Sequence, residues 1–182
     1  MKSVLISIQP KWCELIANGK KTIEVRKSKP KFETPFKCYI YCTEKDYNKI
    51  FCVDKFMHKV FLNGNGKQKI IGEFVCDKVT DARYIGGDEF YAKSCLTYED
   101  WRSYTDGTKN TIWLWHISNL VIYDKPRELS EFWKADKCPY AFKQLCTYKG
   151  HCFRSGQVER CGEILTRPPQ SWCYVEIESD SE

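Results

Sequence analysis

The 182-residue sequence lacks several features that mark common classes of protein. It has no run of about eighteen apolar residues, so no segment is long enough to cross a membrane as a helix. Its first residues enter a predicted strand without a small-residue cleavage site, so we expect no signal peptide and a cytoplasmic location. No internal repeat is present, and the glycine-rich turn at residues 63–66 lacks the Lys-Ser/Thr pair of a phosphate-binding loop.

The composition favours a folded intracellular domain. Apolar residues make up 42% of the chain and aromatic residues 15%, which is enough for the core of one domain with an elaboration. The chain has 11 cysteines, and this odd number argues against a disulfide framework, which intracellular proteins rarely have. We therefore expect most cysteines to be buried thiols and a few to bind metal.

Positive charge is concentrated in the first part of the sequence. Residues 1–70 carry fifteen Lys or Arg against six Asp or Glu, a net charge of +9. Residues 71–182 carry fourteen against eighteen, a net charge of −4. A polyanion such as RNA would be attracted to the basic part. The alternative is that these lysines only keep the surface soluble.

Alternating, aromatic-rich stretches predict a mainly β fold with short helices, that is, an α+β protein. The predicted strands cover residues 4–8, 22–27, 36–42, 70–79, 111–123 and 171–177, the fifth of them as one long strand or a bulged pair. Short helices are predicted from Pro10, after the capping-box pair Thr97 and Asp100, and over residues 126–133. Two prolines make residues 29–35 a loop.

A charged strand follows the first predicted helix. Pro10 at the start and Gly19 just past the last turn are helix start and stop signals. Alternation then places Thr22, Glu24 and Arg26 on one face of the strand and apolar residues on the other.

The polar face of this strand is the candidate ligand site. A carboxylate and a guanidinium lie close to several lysines, which suits a phosphate, a nucleotide or a carboxylate ligand. A tryptophan beside them offers a ring on which a base can stack, provided that the ring is exposed. The candidate ligand-binding residues are Trp12, Lys20, Lys21, Thr22, Glu24 and Arg26. The alternative is a solvated strand of mixed charge.

The same stretch resembles the opening of an ASCH domain. The signature of that family is Gly-x-Lys-x-x-Glu-x-Arg, and Gly19, Lys21, Glu24 and Arg26 fill every place. The resemblance implies a PUA-like β-barrel that binds RNA or a nucleotide-like ligand. Residues 167–176 resemble the tail of phage and prophage members, whose location would be the host cytoplasm.

The resemblance also implies candidate catalytic residues. In small bacterial relatives, the places of Lys21, Glu24 and Glu73 hold the proposed catalytic set of an amidohydrolase that deacetylates acetylcytidine and similar nucleosides. Lys21 and Glu73 match that set, whereas Glu24 stands in place of a threonine and cannot act as its hydroxyl nucleophile without a different mechanism. A lysine between two carboxylates is expected to hold both, which favours binding. The resemblance also allows a ribonuclease, an activity reported within the family, or a viral protein-interaction module.

Four cysteines lie in a turn-rich segment near the end of the sequence. They are Cys138, Cys146, Cys152 and Cys161. No Cys-x-x-Cys pair occurs among them, but turn-rich loops seldom bury many thiols, and a tetrahedral structural zinc would order the segment. The alternative is buried free thiols. We therefore divide the chain into a barrel core at 1–124, a cysteine-rich insertion at 125–166, and a final barrel strand with its tail at 167–182.

The zinc prediction is tested by metal content. X-ray fluorescence of the purified chain is expected to find about one zinc per molecule, because four thiolates complete a structural site. Cys152→Ser should lower that content, whereas Cys95→Ser, which lies outside the cluster in sequence, should leave it unchanged. A chain purified without chelator that contains no zinc would contradict the prediction.

Overall fold

Strands dominate the part of the chain that the computed structural model describes, which is residues 3–43, 68–106, 111–134 and 164–177. The strands in these ranges are β1 (Ser3–Ile8), β2 (Ile23–Arg26), β3 (Phe36–Cys42), β4 (Ile70–Cys76), β5 (Val79–Asp81), β6 (Trp113–His116), β7 (Ser118–Arg127), β8 (Phe132–Lys134) and β9 (Trp172–Ile177). The α-helices are α1 (Pro10–Ala17), α2 (Gly87–Ser94) and α3 (Tyr98–Thr105). The prediction of a mainly β fold with short helices is confirmed.

The strands form two sheets that are not closed into a barrel. The larger sheet has the order β7-β4-β3-β1-β9-β8, and the smaller sheet has the order β2-β6-β5. β1 runs parallel to β3, and the remaining neighbours in both sheets are antiparallel. The predicted closed barrel is therefore replaced by two sheets, because β2 pairs with β6 and not with its chain neighbours β1 and β3.

One of the two local predictions beyond residue 110 needs correction. Residues 111–123, predicted as one long strand or a bulged pair, form two strands: β6 joins the small sheet and β7 the large one, and the Ile117 N–H between them donates to the carbonyl of Thr22. Residues 126–133 are not a helix: β7 continues to Arg127, which is paired with Ile70 of β4, and a single 3-10 turn precedes β8. Pairing with β4 outweighs the local helix signal.

The two predicted helix starts in the first hundred residues are confirmed. Pro10 is the first residue of α1, and Gly19 follows its end with a φ of +74°, a conformation that glycine adopts without strain. Thr97 and Asp100 form both hydrogen bonds of a capping box at the start of α3. Among the described helices, none is long and apolar enough to span a membrane.

The large sheet buries an apolar cluster on each of its two faces. On the face toward the small sheet, Val4 and Ile6 of β1 pack with Phe36 and Trp115, whose ring centroids lie 5.4 Å apart. On the other face, Leu5 and Tyr39 pack with buried side chains of β8 and β9. Because β1 and β3 are covered on both faces, their sequences read as almost continuous apolar runs.

The cysteines of the described ranges are free thiols, and they are Cys13, Cys38, Cys42, Cys76, Cys95 and Cys173. The first four are buried, as expected for most of the cysteines. Burial raises the pKa of the Cys76 thiol to about 12, so this group stays protonated at neutral pH. The division of the chain at residues 124 and 166 stays a prediction, because residues 135–163 lie outside the described ranges.

Gly72→Ala is expected to lower the free energy of unfolding by about 1–3 kcal/mol. A Cβ at this position of β4 would overlap the carbonyl oxygen of Val121 on β7, so one backbone would have to move. The matched control is Gly87→Ala at the first residue of α2, where an added Cβ meets no atom within 4 Å. Urea denaturation of both variants measures the difference, and equal stabilities would contradict the close approach of β4 and β7.

Candidate functional site

The charged side chains around β2 are buried between the two sheets. In the register of the small sheet, Glu24 lies opposite Trp115, which belongs to the core between the sheets. Lys21 is 3% exposed, Glu24 6% and Arg26 9%. The alternation of this strand is as predicted, but its charged face points into the core between the sheets, while Ile23 and Val25 are buried on its other face. We call these three residues the buried charge cluster.

One carboxylate serves two cations in the buried charge cluster. Glu24 Oε2 lies 3.4 Å from Lys21 Nζ, and Glu24 Oε1 lies 3.0 Å from Arg26 Nη2. Buried charges need partners, since the loss of hydration is costly for each ion. The cluster therefore has its own counter-ion and still carries one excess positive charge.

Further hydrogen bonds anchor the two cations to separate elements. Lys21 Nζ donates to the carbonyl of Ser94 at 2.8 Å, at the end of α2, where a helix favours a cation. Arg26 Nη2 donates to the carbonyl of Ser7 at 2.7 Å, and Nη1 to Ser171 Oγ at 3.3 Å. Sequence reasoning missed Ser7 and Ser94, because a backbone carbonyl leaves no signal in residue type.

Two buried donors near the cluster have no acceptor among the described residues. They are Arg26 Nε and Trp115 Nε1. Buried N–H groups are normally hydrogen-bonded, and an orphan of this kind calls for a specific reason. Both atoms have essentially no exposure to solvent, so they are unsatisfied donors of the interior and not part of the surface.

Trp12 lies in α1, and Lys20 lies at the turn before β2. The Trp12 ring is half-buried, with Lys11 Nζ 4.3 Å and Lys21 Nζ 5.2 Å from its centroid. Lys20 is exposed. Thr22 forms two backbone hydrogen bonds. Its N–H donates to the carbonyl of Lys93, and its carbonyl accepts from the N–H of Ile117, between β6 and β7. Trp12 thus belongs to the neighbourhood of the buried charge cluster, with its ring already in contact with two ammonium groups.

The structure does not bring Glu73 to the other two candidate catalytic residues. Glu73 lies opposite Tyr39 in the β3–β4 register, so it occupies the face of the large sheet that points away from the small sheet. There its carboxylate accepts from Lys37 Nζ at 2.7 Å and from the Tyr123 hydroxyl at 2.5 Å. Burial and the bond to this carboxylate raise the pKa of Tyr123. These contacts form a second, separate polar cluster.

The predicted zinc ligands lie outside the described residues. They are Cys138, Cys146, Cys152 and Cys161. Within the described ranges, no three His, Cys, Asp or Glu side chains come together in a way that could hold a metal ion. The zinc site stays a prediction.

Comparison with known proteins agrees with the signature found in the sequence. The family model of the ASCH domain matches residues 6–135, so the chain belongs to the ASCH domain family. A comparison with curated proteins finds none that matches.

Two solved structures share the fold. The ASCH protein of Zymomonas mobilis has a TM-score of 0.56 at 18% identity, covering 96% of this chain and 88% of its own. A serine-to-alanine mutant of the Zymomonas mobilis protein also has a TM-score of 0.56, at 17% identity, covering 96% of this chain and 89% of its own. At this level of identity the likeness concerns the fold.

Glu24→Gln is expected to lower the free energy of unfolding by about 3–5 kcal/mol. The amide keeps the shape but removes the carboxylate that pairs with the two buried cations, Lys21 and Arg26. The control is Glu89→Gln, which breaks an exposed pair with Lys93 and should lower stability far less, because solvent screens that pair. If urea denaturation gave the two variants the same stability, the buried charge cluster would not stabilise the fold as stated here.

Proposed function

We propose that this ASCH-domain protein binds RNA, or a nucleotide derived from it, at the surface around the buried charge cluster. The observation that carries the proposal is the excess positive charge of Lys21 and Arg26 over Glu24, which lies beneath a surface of exposed lysines. ASCH domains are generally RNA-binding, which supports the same conclusion.

The surface around the cluster extends this positive charge. Residues 11–31 carry seven Lys or Arg against two Asp or Glu, a net charge of +5 that equals the net charge of the whole chain. Five of these cations are exposed lysines: Lys11, Lys20, Lys27, Lys29 and Lys31. Exposed lysines attract a polyanion from a distance and exchange counter-ions with it on contact.

The geometry favours binding over hydrolysis. An amidohydrolase or ribonuclease built on Lys21 and Glu73 requires both side chains at one substrate. Glu73 lies on the far face of the large sheet, held by Lys37 and Tyr123. Lys21 is engaged by Glu24 and by the Ser94 carbonyl. The contacts of both candidate catalytic residues are those of structural ion pairs.

Fluorescence anisotropy with a labelled RNA at two salt concentrations tests the proposal. We expect the affinity to fall as salt rises, because each lysine–phosphate contact releases counter-ions. Lys20→Gln and Lys27→Gln should each weaken binding and lower the salt slope by about 0.7, the value for one contact to a single strand. Lys125→Gln removes an exposed charge from the large sheet and should change neither.

Three outcomes would contradict this function. The absence of salt-sensitive affinity for any RNA would remove its physical basis. Turnover of acetylcytidine that is lost in Lys21→Ala would establish a hydrolase instead. Capture of a protein partner through the same lysines, without RNA, would establish an interaction module.

A further inference from the structure

Two exposed lysines cover aromatic rings just beyond β2. Lys29 Nζ lies 4.0 Å from the ring centroid of Trp113, and Lys27 Nζ lies 4.9 Å from that of Tyr104. Both rings are half-buried and both lysines are exposed. An ammonium at this distance is attracted by the face of the ring, and it occupies the position that a flat apolar group would take.

Both rings adjoin the buried charge cluster. Trp113 on β6 is the register partner of Arg26 on β2. Burial raises the pKa of the Tyr104 phenol, and the Arg26 guanidinium partly offsets that rise, so the phenol lies within the field of the cluster. Trp113 packs with the core between the sheets and Tyr104 with the core on the other face of the small sheet, so the two rings flank the end of β2 beyond which Lys27 and Lys29 are exposed.

The backbone between the two lysines is tied down. Ser28 lies between them, and its Oγ accepts a hydrogen bond from Trp172 Nε1 at 3.0 Å. Trp172 in turn packs against the buried Trp115 at a centroid distance of 5.7 Å. The segment is thus fastened at its centre, whereas the long side chains of Lys27 and Lys29 can exchange their contacts without movement of the backbone.

We propose that Tyr104 and Trp113 are stacking platforms for two unpaired bases of a single-stranded RNA. On binding, each base takes the ring face, and Lys27 and Lys29 move from the rings to the adjacent phosphates. A base stacked on an aromatic ring binds more strongly than an exposed ammonium, and the phosphate gives the displaced lysine a better partner. This inference rests on the proposed RNA-binding function and names the form of RNA that the surface accepts.

The arrangement selects unpaired nucleotides. In a duplex, both faces of every base are covered by neighbouring bases, so no base can lie flat on a protein ring. A mononucleotide can use one of the two rings at a time, whereas a strand can use both. Single-stranded RNA is therefore expected to bind more tightly than either a duplex of the same sequence or a nucleoside monophosphate.

The test compares three ligands on the full chain by anisotropy and competition. They are a labelled RNA of about eight nucleotides, the same strand annealed to its complement, and a nucleoside monophosphate. Trp113→Leu and Tyr104→Leu are each expected to weaken single-strand binding roughly 5- to 100-fold, as for loss of one stacked base, and to leave duplex binding unchanged. Trp113→Tyr keeps an aromatic face and should retain most of the affinity.

Tyr98→Leu is the matched control. Tyr98 begins the same helix that carries Tyr104 near its end, and it is 61% exposed. Its replacement should leave single-strand binding unchanged, and circular dichroism of each variant verifies the fold. The inference is overturned if the duplex binds as tightly as the single strand, or if Trp113→Leu and Tyr104→Leu bind like Tyr98→Leu. If neither the single strand nor the duplex nor the nucleoside monophosphate binds, the proposed function is overturned together with this inference.

Discussion

The burial of the Glu24 carboxylate is the constraint on which the arrangement around β2 depends. A carboxylate between two sheets loses its hydration, so it must be neutralised by partners of fixed geometry. Lys21 and Arg26 supply that charge, and each is held in turn by a backbone carbonyl from a different part of the chain. β2 and the turn before it thereby tie α2, β1 and the approach to β9 together, and they leave an excess positive charge at this junction.

The large sheet separates this cluster from a second polar group. Alternation along β4 sends Phe74 and Cys76 to the core between the sheets and Glu73 to the opposite face. Glu73 then pairs with Lys37 and Tyr123 and not with Lys21. Residues that share a plausible chemical role can thus be divided by a sheet, and only their placement shows which of them can meet one ligand.

The site combines a rigid interior with an adaptable rim. The buried charge cluster is held by structural contacts, apart from an Arg26 Nε without an acceptor in the described part of the chain, and it sets the position of β2. The rim consists of exposed lysines beside half-buried rings, as in Lys29 over Trp113. Long side chains over aromatic faces can change partners at little cost, so the rim suits a charged and flexible ligand such as RNA.

The sequence by itself determined the local features: the start of α1 at Pro10, the capping box at Thr97, and the alternation and signature of β2. These depend on residues within a few positions of one another, whose preferences are short-range. Only the tertiary structure decided that the charged face of β2 points inward, that residues 111–123 divide between two sheets, and that Glu73 lies on the far face. Those outcomes depend on which strands pair, and pairing is governed by contacts between residues far apart in the chain.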